Sequence, residues 1–211
     1  MRPSVSVDLF LLGVGERSKF RTWGAVGTAV SGALLCEKAL AGEHLLPELP
    51  PSRGRRRALQ RLIDRRAIDA LNQVADPLCA AGAVRPSEEK WLRMFARRGY
   101  TVLDTPAQEA ALHRLRAAIT PGTVPAPDDA AFAVLCALSG IARSVLAAPE
   151  GRAARRETAA HLNGLRDTVG PAVAEILDAT RAEYGRADAD GGFVPSGGYD
   201  CYGDVVGDGG G

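Results

Sequence analysis

The stretch "TWGAVGTAVSGALLCEKALAGEHLL", residues 22–46, decides how the chain is read. It carries no charge from Thr22 to Cys36, and Glu37 is the first to interrupt it. A helix that crosses about 30 Å of hydrocarbon needs roughly 20 apolar residues, and Trp23 to Cys36 supplies only about 14. Gly24, Gly27, Gly32 and Gly42 thin it further. The stretch therefore reads as a helix over Trp23–Leu40, buried in a protein core and ended by Gly42. The rest of the chain must supply partners for it.

Composition allows this. The chain has 211 residues, 46% of them hydrophobic, enough for one domain with a sizeable core. Aromatics are only 5%, so Ala, Leu, Val and Ile must fill that core, and the Ala/Leu/Arg richness favours helix. The fold class expected is mainly α: a single helical domain over residues 1–184 with a small protruding β-hairpin, then a tail over 185–211. The net charge of +1 sets no global field for nucleic acid or anionic lipid, so electrostatic recognition must come from a local cluster. Cys36, Cys79, Cys136 and Cys201 match no zinc or redox spacing. The first twenty residues lack a long apolar core and a small-residue cleavage site, so no signal peptide is read there. A reducing, cytoplasmic setting is the expectation, with the first three cysteines as small apolar packers.

Outward from the opening helix, "DLFLLGVG" (8–15) is strongly apolar but too short to divide strand from helical turn. Residues 52–84 are the most basic part. Leu59, Leu62, Ile63, Leu71 and Val74 recur at helical spacing, with Arg61, Arg65 and Arg66 mostly on other faces. Pro77 should kink or break that helix, and Gly82 should end the short segment beyond the proline. "WLRMF" and "YTVLD" flank "ARRG", which predicts a hairpin with Gly99 in its turn. Thr105, Pro106 and Gln108 spell a T-x-x-Q capping box for the next helix. Asp128 or Asp129 should cap the apolar helix "AAFAVLCALSGIARSVL", and Arg152–Leu165 and Pro171–Tyr184 read as two more helices. From Gly185 the sequence turns to Gly and Asp, which reads as a flexible tail.

Motifs for chemistry are sparse. Gly13 and Gly15 give G-x-G, but Ser18 stands where a dinucleotide fingerprint needs glycine. "DADGG" (188–192), within the tail composition, has no glutamate to close a calcium loop. His44, His113 and His161 have no partner at ligand spacing, and His113 falls on the solvent side of its helix. Glu37, the one carboxylate in an apolar helix, is expected either to be perturbed or to pair in the neighbourhood of Lys38 or with an arginine of another helix. No nucleophile–base set, metal ligand set or cofactor site emerges, and the expectation is a protein that is not an enzyme.

The strong charge feature is Arg53, Arg55, Arg56, Arg57, Arg61, Arg65 and Arg66. Its bland reading is a solvated helix face; its functional reading is a phosphate-binding patch, because basic residues near an anionic membrane each contribute about 1 kcal/mol. The hairpin adds Trp91, Phe95 and Tyr100 among Arg97 and Arg98, a composition suited to a membrane interface, to a second copy of the chain, or to the hairpin's own domain. Two weak membrane signals together can anchor a protein where one does not. Nucleic acid through "RGRRR" is the less favoured reading, since net charge is near zero.

The order and spacing of "DLFLLGVG", "SGALLCEKALAGEHLL", "LCAAGAVRPSEEKWLRMFARRGYTVLDTPAQEAALHRLRAAI" and "DDAAFAVLCALSGIARSVL" resemble the Golgi phosphoprotein 3 family, bacterial and notably actinobacterial members included, over roughly residues 5–165. The resemblance implies a mostly helical domain with a protruding hairpin. It also implies binding of phosphatidylinositol 4-phosphate at a membrane surface, through a tryptophan, an arginine on the following helix and two arginines three apart. On this chain Trp23 falls within one residue of the tryptophan, while Ser31, Ile68 and Leu71 occupy the three arginine positions. The expected headgroup residues are therefore Trp23 with Arg61, Arg65 and Arg66 as substitutes. The expected membrane or self-association residues are Trp91, Phe95, Arg97, Arg98 and Tyr100. The partners are an anionic or phosphoinositide lipid at the inner membrane face and a second copy of the chain. The rival reading is an adaptor that contacts a protein and no lipid.

Overall fold

A computed structural model of the chain describes residues 4–14, 23–43, 53–91, 95–146 and 151–189. Among these it contains eight helices and one hairpin, in the order α1 (Val5–Gly13), α2 (Trp23–Leu40), α3 (Arg53–Ala80), β1 (Val84–Trp91), β2 (Phe95–Val102), α4 (Thr105–Ile119), α5 (Pro127–Leu138), α6 (Ile141–Val145), α7 (Gly151–Thr168) and α8 (Pro171–Ala189). The mainly α class with one small antiparallel sheet is as the sequence reading has it. No helix of the described residues is long and apolar enough to cross a membrane.

The centre of the domain is α5. Seven successive residues, Ala130 to Cys136, are buried, and a helix that is apolar all round has to be enclosed. It packs against α1, α2, α4, α6, α7 and α8. The opening stretch α2 lies against it and against α1, α3 and α8, which carries the buried-helix reading. The small residues that thinned α2 are what let its neighbours approach. A Cβ on Gly27 would stand 2.7 Å from the Ala67 carbonyl oxygen of α3, and one on Gly32 would stand 2.7 Å from Thr180 Oγ1 of α8. Backbone oxygen cannot yield as a flexible side chain can. Gly27→Ala is therefore expected to push α2 from α3 and lower stability by about 1–3 kcal/mol, measured by urea denaturation; an unchanged midpoint would contradict the close crossing.

α2 and α3 both end on left-handed glycines, Gly42 (φ 76°) and Gly82 (φ 71°). The following amides reach back, Glu43 N–H to Lys38 O at 3.0 Å and Ala83 N–H to Leu78 O at 2.9 Å, which satisfies carbonyls the helix leaves open. Ala83 O then accepts from Leu103 N at 2.8 Å and Asp104 N at 3.0 Å, closing the hairpin base and leading into α4.

Several local expectations are corrected. The stretch left open between strand and helical turn, "DLFLLGVG", is helix as far as Gly13, because Ser4 caps α1 by accepting from Val7 N and the apolar run from Leu9 is buried. α3 continues through Pro77 as far as Ala80, although the proline offers no amide to the Gln73 carbonyl one turn before it. The hairpin register pairs Val84 with Val102 and Trp91 with Phe95, so Gly99 sits within β2 opposite Ser87 and the strands start earlier than the aromatic flanks suggest. Asp104 caps α4 by accepting from Ala107 N at 3.0 Å, and the expected capping-box glutamine, Gln108, donates instead to Leu11 O of α1 at 2.8 Å. Ala126 precedes α5 without a side-chain cap; Asp128 and Asp129 lie in its first turn and serve an arginine. α7 and α8 fall where two helices were read, but α8 runs to Ala189, past the Gly185 boundary of the expected tail. The remainder of that tail lies outside the described residues, as do His44 and Cys201.

That arginine is Arg114 of α4. Its guanidinium pairs with Asp8 of α1 at 2.7 Å, with Asp128 at 3.3 Å and Asp129 at 2.5 Å, and lies 4.9 Å from the centroid of the buried Phe132 ring. Only 10% of its side chain is exposed. Burial pulls its pKa down, but the hydrogen bonds to Asp8 and Asp129 outweigh this and raise it. For Asp8 the balance differs: burial raises its carboxyl above the usual value in spite of Arg114. Asp8 therefore binds its proton more tightly folded than unfolded. That contribution to stability is complete below its unfolded value of 3.8 and is lost as pH rises through the folded one. Asp8→Asn, which cannot ionise, should accordingly gain on the wild type in denaturant midpoints as pH rises above 3.8 and Asp8 is made to ionise. A difference independent of pH would contradict it.

Candidate functional site

Glu37 resolves as a structural residue. Its carboxylate accepts from Ser4 Oγ (2.7 Å), Ser6 N (2.9 Å) and Ser6 Oγ (3.0 Å), so it sits at the N-terminus of α1, where the helix dipole favours negative charge. The arginine partner expected for it is replaced by serines and a backbone amide. Cys36 and Cys136 are buried, and burial raises the Cys36 thiol well above its usual range, so it stays protonated. His161 shares a hydrogen bond with Ala118 O at 3.0 Å, and His113 is exposed. No group of three His, Cys, Asp or Glu side chains among the described residues could hold a metal.

A cavity of about 730 Å³ lies beside the hairpin base, between α1, α4 and α6. His113, Glu109, Arg116 and Thr105 line its polar side, Leu12 and Leu112 its apolar side. No hydrogen bond joins those polar side chains to one another among the described residues, so the cavity presents scattered groups rather than a prepared reaction centre.

The basic feature is better organised. Arg56, Arg57, Arg61, Arg65 and Arg66 are exposed on α3, and none forms an ion pair among the described residues. Arg55 differs: it is half-buried and pairs with Glu175 of α8 at 3.0 Å. Asp64, which could have neutralised the row, lies 3.3 Å from Arg186 of α8. Arg57, Arg61 and Arg65 recur every fourth residue, so they form one outward row about 12 Å long.

Arg66 stands apart from that row. It is about 20° from buried Leu59 in helical phase, which turns it toward α2. There it lines a cleft of about 270 Å³ between α2 and α3 with Ser31, Lys38, Asp69 and Gln73. Ser31, the residue at one expected arginine position, thus faces a cleft that two cations from other positions enter. Lys38 was not singled out from the sequence, although it lies one heptad after Ser31 and so on the same stripe of α2. The cleft offers two cations, one carboxylate, a hydroxyl and an amide, a set that suits a small hydroxylated anion.

The remaining expected residues divide. Trp23 is the first residue of α2, one turn before Gly27, but its side chain lies outside the described residues, as do those of Trp91, Phe95, Arg97 and Arg98. Tyr100 is described, and it packs inward: its ring meets Phe10 of α1 edge-on, centroids 5.4 Å apart. It fastens the hairpin base to the domain, and only the hairpin beyond it is left for outside contacts.

A comparison with curated proteins returns no match. The Golgi phosphoprotein 3 (GPP34) family model matches residues 42–180, a span that begins at the end of α2 and takes in α3, the hairpin and α4 to α7, with α8 as far as Thr180. That is well over half of the 211 residues, and the mostly helical domain with one hairpin is the architecture the resemblance implied. The chain belongs to the Golgi phosphoprotein 3 family.

Proposed function

We propose that the chain is a non-enzymatic peripheral membrane protein that binds an anionic lipid surface through α3, with the α2–α3 cleft taking a phosphorylated headgroup. One observation carries this reading: the outward row Arg57, Arg61 and Arg65 has no carboxylate partner within the described residues, while Lys38 and Arg66 enter the neighbouring cleft. Arginine forms forked bonds to phosphate oxygens and keeps its charge at every physiological pH. Three such residues near an anionic surface give about 3 kcal/mol, a weak and reversible attraction that needs a second contact to hold the protein there. Location at the inner, cytoplasmic membrane face follows from this reading, and the hairpin supplies a second contact, to the bilayer or to another copy. Asp69 in the cleft opposes a multiply charged headgroup, so selectivity should be modest.

Headgroup selectivity is tested by sedimentation with vesicles carrying phosphatidylinositol 4-phosphate against phosphatidylserine vesicles of matched charge. A phosphoinositide preference that disappears in the Lys38→Ala, Arg66→Ala double variant supports the cleft. Equal binding to both vesicle types leaves the arginine row as an electrostatic membrane contact and removes the cleft from the account.

A further inference from the structure

The solvent face of α3 carries one large aliphatic side chain, Ile68, which is 74% exposed. At 100° per residue it lies about 20° from Arg57 and Arg61 and about 60° from Arg65. The core face, bearing Leu59, Ile63 and Ala70, is roughly 140–180° away by the same geometry. Ile68 therefore has no part in the interior. Helix propensity does not account for it either, since a β-branched residue is a poorer choice on an exposed helix face than Ala, Arg or Lys. A single exposed isoleucine is ordinary; this one, in phase with a row of arginines unpaired among the described residues, sets an apolar side chain at the C-terminal end of the row, one turn past Arg65 and the Arg186-paired Asp64.

We propose that Ile68 is the apolar anchor of this face, entering the headgroup–acyl boundary of an anionic bilayer while Arg57, Arg61 and Arg65 hold phosphates along the helix beside it. The inference rests on the membrane reading above. Complementarity selects the occupant: an anionic bilayer offers a layer of negative charge with an apolar layer just beneath. Arginine stems lie along such a boundary with their charged ends outward, so the backbone of α3 can approach closely enough for a short side chain to reach it. Duplex DNA offers the phosphates without the apolar layer.

The test uses the full chain on vesicles of phosphatidylcholine alone and of phosphatidylcholine with phosphatidylserine. Ile68→Ser is expected to weaken partitioning onto the anionic vesicles about tenfold, as part of an isoleucine side chain leaves the apolar layer. Ile68→Leu should bind like the wild type. The Ser and wild-type curves should keep the same ratio as salt rises, because an apolar contribution is not screened. Melting temperatures should agree, since the position is exposed. Wild-type binding to anionic vesicles that Ile68→Ser leaves unchanged would overturn the anchor and leave the membrane reading standing. A wild type displaced from anionic vesicles by duplex DNA as readily as Ile68→Ser is would likewise overturn the anchor alone, whereas a wild type that binds no anionic vesicle would overturn both.

Discussion

Arg114→Met is expected to lower the stability of the chain by about 3–5 kcal/mol, the largest effect of any single substitution considered, because it leaves Asp8, Asp128 and Asp129 clustered without their cation. The three carboxylates come from two helices and the arginine from a third, so the loss loosens α1, α4 and α5 together. In a domain of this size the melting temperature should fall by about 10 °C. Arg166→Met is the control. Arg166 pairs with Asp178 at 2.5 Å but is 35% exposed, and water screens such a pair to about 1 kcal/mol or less. Equal losses for the two variants would mean that Arg114 is no more than a surface pair.

Replacing Arg57, Arg61 and Arg65 together by Gln should weaken binding to anionic vesicles about a hundredfold at low salt, at about 1 kcal/mol for each charge removed. The three are exposed and unpaired among the described residues, so the fold should survive intact. The deficit should shrink as salt rises, because screening removes the same attraction from the wild type. Arg55→Gln should bind nearly as the wild type does, since Arg55 is half-buried against Glu175. A triple variant that still sediments with the vesicles would move the contact away from α3, to the hairpin first.

How far the sequence could be read depended on the range of the interactions involved. α2 and α5 were legible because burial on all sides leaves an unbroken apolar record, and Gly42 and Gly82 because a left-handed residue after a helix is a local requirement. The cap of α4 was misplaced by one residue, since Asp104 and Thr105 are both good caps and adjacent, and what decided between them was the use of Gln108 by Leu11 across the domain. The hairpin's existence was local but its register was not: Gly99 looks like a turn residue and is a strand residue.

In the candidate site, the arginine cluster was visible as composition, but its division was not drawn. Helical phase alone separates Arg57, Arg61 and Arg65 from Arg66, and it could have been applied to place Arg66 with Leu59 on the flank of the core. Lys38 and Ser31 belong with Arg66 only once α2 and α3 are brought together, and that pairing is tertiary. Arg114 left no sequence signal, because its partners lie at Asp8 and in the next helix.

The most direct measurement is sedimentation of the wild-type chain at physiological salt with neutral phosphatidylcholine vesicles and with the same vesicles containing phosphatidylserine. The arginine face predicts binding to the anionic vesicles and little to the neutral ones. Equal recovery with both, or with neither, would contradict an electrostatic membrane contact on α3.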